Sequence, residues 1–148
     1  MTHIDAVRQS IGKVIDDFGG DSERQRMDPN SWLFRKGSAT GFVMVHEDPA
    51  EPGNGDLLIV CEIMRVPADR ERDFYRRLLE LNDALCGKAA FCVNQDDVVL
   101  LQSGRKLEGI GPEEISDQML RTAALADRYD DVLLGEFGHE HALDLKVE

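Results

Sequence analysis

Three cysteines, four histidines and a set of clustered carboxylates are the side chains here that could do chemistry. Cys61, Cys86 and Cys92 would serve as nucleophiles only as thiolates, which require an electropositive, accessible setting. All three lie in apolar stretches, so the plain reading is buried free thiols. Their odd number and the lack of a C-x-x-C pair point to a reducing, cytoplasmic compartment. None of the serines sits in a G-x-S-x-G elbow or beside a local base that would activate it.

His139-Glu140-His141, followed by Asp144, is the single metal-like spacing. On a strand, H-x-H places both imidazoles on one face, and Asp144 could add an oxygen. Structural sites need four oriented ligands, and no scaffold is evident around these three, so they are weak candidates. Asp127, Asp130 and Asp131 could do acid–base work if one were desolvated; their spacing fits a solvated helix face instead. Gly109-Ile110-Gly111-Pro112 precedes a helix start, a general anion-binding geometry. Three acids follow at once, and the phosphate-loop patterns are absent. The expectation is a non-enzymatic protein without a cofactor.

The net charge of −12 argues against nucleic-acid and membrane partners, because such a surface repels phosphates and anionic lipid heads. The longest strongly apolar run, Leu57 to Cys61, is far short of the ~20 residues of a membrane helix. No basic, apolar leader is visible at the start. With 42% hydrophobic and 31% charged residues over 148 positions, the composition is that of one globular domain. Its bounds are read as 1–137, with an acidic tail over 138–148.

The elements follow from periodicity. Ile4, Val7, Ile11, Val14, Ile15 and Phe18 mark a helix over about 3–18, ended by Gly19-Gly20. Residues 21–31 are polar and read as a turn. Strands follow at Trp32 to Lys36, Thr40 to His46 and Leu57 to Val66, with an exposed 47–56 connection. Asp69 is a plausible N-cap for a helix over 69–86, stopped by Gly87. Lys88 to Val93 and Val98 to Gln102 form a hairpin, and Gly111-Pro112 opens a last helix that ends at Gly135.

The expected fold class is therefore α+β, a single domain ordered helix, three strands, helix, two strands, helix, with an antiparallel sheet. Along the second strand Phe42, Met44 and His46 share one face. Along the third, Leu58, Val60, Met64 and Val66 share one, interrupted by Glu62. Three helices do not easily cover both faces of such a sheet, so a second subunit or a partner is expected on the remainder. Trp32, Phe34, Phe42, Met44 and Met64 are the candidate partner-binding set, since aromatic and methionine side chains adapt to partner surfaces. Core packing is the alternative for each of them. A small-ligand site would instead need converging polar groups, with His46, Glu62 and Arg65 as candidates.

Five stretches carry a family resemblance: Trp32 to Val45 (WLFRKGSATGFVMV), Leu57 to Pro67, Phe74 to Leu85 (FYRRLLELNDAL), Ala89 to Leu101 and Gly111 to Phe137. Over about residues 3–137 the chain resembles the YbjN family, grouped with the type III secretion chaperone-like fold. The resemblance implies a small, acidic, cytosolic, homodimeric α+β protein. In the chaperone group it implies holding a partner's apolar segment along surface grooves. In the YbjN branch it implies a stress or sensory regulator, here one that would bind a small ligand. It supplies no catalytic motif and no partner-binding residue to carry over.

Overall fold

The computed structural model describes residues 2–143. The first helix, α1 (His3–Asp17), opens with a reciprocal cap. Asp5 N–H donates to Thr2 Oγ1 at 3.2 Å, and Thr2 N–H donates to Asp5 Oδ2 at 3.1 Å. These bonds use two amide donors that a helix start otherwise leaves unpaired. Ile4, Val7, Ile11, Val14 and Ile15 form the buried stripe that the periodicity predicts. Gly19, at φ +89°, carries the chain out of the helix in a conformation that costs glycine little.

The polar stretch after it is more ordered than its composition suggests. Asp21 caps a single helical turn, α2 (Ser22–Gln25), which runs into a three-residue strand, β1 (Arg26–Asp28). All of β1 is exposed, so no apolar alternation announces it. It adds a sixth strand to the five expected.

The remaining strands are β2 (Ser31–Lys36), β3 (Ala39–Glu47), β4 (Gly55–Arg65), β5 (Ala90–Val93) and β6 (Val98–Lys106). They form one antiparallel sheet in the order β1-β2-β3-β4-β6-β5. β6 extends past Gln102 because Gly104, Arg105 and Lys106 continue its ladder against Leu58, Leu57 and Asp56.

Helix α3 (Glu71–Leu85) starts later than expected. Its N-cap is Arg70, which makes no side-chain cap, in place of Asp69. Helix α4 (Pro112–Phe137) passes Gly135 and stops at Gly138. The extra turn brings the Phe137 ring edge-on to Phe74 of α3, with centroids 4.9 Å apart. Helix packing thus outweighs the local stop signal. A 3-10 turn (His139–His141) follows, and Ala142 bridges back to Met64.

α1, α3 and α4 share one continuous core with a single face of the sheet. That face presents Trp32, Phe34, Val43, Val45, Leu57, Ile59, Cys61 and Leu101. Among the described residues, no helix is long and apolar enough to cross a membrane.

Candidate partner-binding face

Strand alternation dictates what lies on the other side of the sheet. Leu33 opposes Phe42, Ser31 opposes Met44, Met44 opposes Leu58, and Phe42 opposes Val60. On a pleated sheet these residues share one face. Leu33, Phe42, Met44 and Leu58 are half-buried there, beside Leu100 of β6. Val60 is 7% exposed yet lies outside the helix-packed core. Its burial comes from its neighbours on this face. The result is an apolar patch without a covering layer among the described residues.

The five residues expected to bind a partner divide between the two faces. Trp32, Phe34 and Met64 are 2%, 1% and 0% exposed and belong to the packed core. Phe42 and Met44 stay together on the open face. Strand parity predicts Met64 beside Leu58 and Val60. A bulge between Glu62 and Met64 shifts the register by one residue, so that Met64 pairs with Val99 and turns inward. Leu33, Leu58, Val60 and Leu100 complete the face; the alternation of β2, β4 and β6 was the signal that could have found them.

At one end of this face the sheet splits. β3 accompanies β4 as far as Gly41 opposite Cys61, and its first residues, Ala39 and Thr40, have no pairing to β4. On that same side of β4, Ala142 takes up pairing at Met64. Glu62 and Ile63 lie in the gap. A cavity of ≈ 530 Å³ occupies the split, joining Leu33 and Phe42 of the open face to Ala126 and Leu134 of α4. Ala126 leaves room where a larger residue would fill the floor. Glu62, Asp127 and Asp130 supply carboxylates to its wall. Asp127 accepts a hydrogen bond from the Ser38 hydroxyl across the mouth. The Asp130 carboxyl is raised above the ordinary aspartate value, chiefly by burial, then by Asp131 and Asp127, with His139 opposing.

The other candidates fall outside this arrangement. His46 opposes Asp56, six residues and roughly 20 Å of strand from Glu62, so the two do not converge on one ligand. Both are exposed. His139 and His141 lie in the 3-10 turn instead of on a strand, and Asp144 lies outside the described residues. Among the described residues no group of three metal-type side chains converges. Burial pushes the Cys61 thiol up to about 12 and raises that of Cys92. Cys92 is half-buried and Cys86 exposed, in a left-handed position after α3, so of the three thiols expected to be buried only Cys61 is.

A six-stranded antiparallel sheet with its helices packed on one face is an α+β fold of the secretion chaperone-like kind. Its backbone superposes on a chain of the ExsC–ExsE complex with a TM-score of 0.65, at 14% identity over 90% of this chain and 97% of that one. It matches a chain of the heterodimeric ExoU–SpcU complex from the type III secretion system of Pseudomonas aeruginosa with a TM-score of 0.58, at 12% identity over 83% and 96%. A chain of the HopA1–SchA chaperone–effector complex matches with a TM-score of 0.54, at 11% identity over 84% and 96%. No curated protein matches the sequence. The chain belongs to the YbjN family, described as "Putative bacterial sensory transduction regulator", whose pattern matches residues 8–135.

Proposed function

We propose that this protein is a non-enzymatic, cytoplasmic, homodimeric binding module that holds an apolar segment of a partner protein, in the manner of a chaperone. The observation that carries this reading is the open sheet face of Leu33, Phe42, Met44, Leu58 and Val60. Apolar surface of that kind, rimmed by polar residues, marks interaction sites. An extended or helical segment can lie across it and remove it from water. Proteins of the same fold are seen in complexes with protein partners, one of them a chaperone with its effector. The acidic remainder of the surface keeps such a protein soluble and disfavours unsuited partners.

Self-association is assigned to α3. Leu79 is 69% exposed and Tyr75, one turn back, 36%, on the side of the helix away from the core. A second copy of α3 would bury both.

The alternative is a stress or sensory regulator that binds a small ligand, which requires a closed pocket of converging polar groups. His46 lies at the opposite end of β4 from Glu62 and Arg65, so the three do not converge on one ligand, and the apolar face is the better supported reading.

The test compares affinity capture by the tagged protein with capture by Phe42→Asp and Met44→Asp, each checked for native circular dichroism. One stoichiometric partner held by the parent and lost from both variants supports the reading. A partner set unchanged by either variant contradicts it.

A further inference from the structure

We infer that the segment held on the open face carries a lysine or arginine beside its apolar anchor, and that this cation enters the split between β3 and β4. The inference rests on the protein-binding reading and gives the chemistry of its partner.

The observations are geometric first. The cavity of ≈ 530 Å³ opens from the apolar face itself, because Leu33 and Phe42 form part of its wall. A segment lying across that face therefore passes its mouth. The cavity exists because β3 stops pairing at Gly41 and Ala142 rejoins β4 only at Met64. Its floor is apolar, from Ile63, Ala126 and Leu134. A long side chain with an aliphatic stem fits such a passage, stem against the floor and charged head at the polar wall.

The charge of the wall then selects the head. Glu62, Asp127 and Asp130 come to it from β4 and α4, and Arg35 is the one basic side chain in its described wall. Asp127 has the Ser38 hydroxyl as a partner. Asp130 is half-buried and faces Asp127 and Asp131 of its own helix. Carboxylates that are partly desolvated and near like charges gain most from a cation brought among them. An acidic or neutral segment leaves that repulsion in place. Both lysine and arginine satisfy the site.

The experiment uses soluble peptides with a Leu-Leu-Xaa-Leu-Leu core flanked by Gly-Ser, where Xaa is Lys, Gln or Glu. Each is titrated calorimetrically into the full chain. The Lys peptide is expected to bind roughly tenfold more tightly than the Gln peptide, a single step on the affinity scale, and the Glu peptide more weakly than either. Asp130→Asn and Glu62→Gln should each shrink the Lys preference over the Gln peptide. Glu108→Gln, at the opposite end of the sheet, should keep the preference; its loss there would reduce the effect to the net charge of −12 and overturn the inference. Equal binding of the Lys and Gln peptides would overturn the inference alone. Binding by none of the three, or binding untouched by Phe42→Asp, would overturn the reading beneath it as well.

Discussion

Met64 and Ala142 pair across the side of β4 that β3 leaves at Cys61, so the residue after the last helix completes an edge that the sheet itself leaves open. The bridge does two things. It ties the segment after α4 to β4, with Arg65 Nη1 donating to the Ala142 carbonyl at 3.2 Å. It also sets the far wall of the cavity that joins the open face to α4.

Gly41 is where the helix-covered face is least forgiving. A Cβ there would meet the Phe34 ring at 2.7 and 2.9 Å and Cys61 Sγ at 3.0 Å. Phe34 is 1% exposed and has nowhere to move. Gly41→Ala should cost about 1–3 kcal/mol, the usual cost of overpacking a core. Urea unfolding would read it as a lower midpoint at unchanged slope.

Asp130 should make stability fall with rising pH, opposite to the usual carboxylate. Its folded-state pKa is raised by burial and by Asp131 and Asp127. Native protein therefore holds the proton above the unfolded value of 3.8, and stability is lost as pH rises from there through the folded value. Asp130→Asn should raise the thermal midpoint at pH 7, and the gain should vanish below about pH 3.5, where both states are protonated. Thermal melts across that range check it.

Asp28 should behave in the opposite sense. The Ser31 hydroxyl and the Asn30 N–H bond its carboxylate at 2.5 and 2.7 Å and lower its pKa. Its contribution is present above the ordinary aspartate value and lost as pH falls through the lowered one. Asp28→Asn should lower the midpoint at pH 7, with the difference closing in acid.

Leu79→Glu should dissociate the proposed dimer without unfolding the domain, because Leu79 is 69% exposed and outside the core. Light scattering after size exclusion would show the halved mass. An unchanged mass would remove α3 from the interface.

The sequence made much of this architecture legible where one physical signal dominated. The stripes of α1 and α3 and the alternation along β3 follow directly from apolar spacing. α2 and β1 were hidden because they bury nothing: a one-turn helix held by the Asp21 cap and a strand held by backbone bonds leave no apolar pattern. Of the candidate site, the shared face of Phe42 and Met44 was readable from parity alone. Which face the helices would cover was not, since that depends on contacts between distant elements, and residue type alone groups Trp32 and Phe34 with them. Met64 was misplaced by one bulge, which reverses every side chain beyond it. The end of α4 beyond Gly135 was likewise set by a distant partner, the Phe74 ring.

The most direct test of the open face uses the chain's own methionines. With methyl-13C methionine, Met44 reports on that face, while Met64 and Met119, both fully buried, report on the core. The spectrum would be recorded on the free protein and on its complex with the partner recovered by capture. The account predicts that the Met44 methyl shifts on binding while Met64 and Met119 hold their positions. A complex that leaves Met44 unmoved would place the partner elsewhere and contradict it.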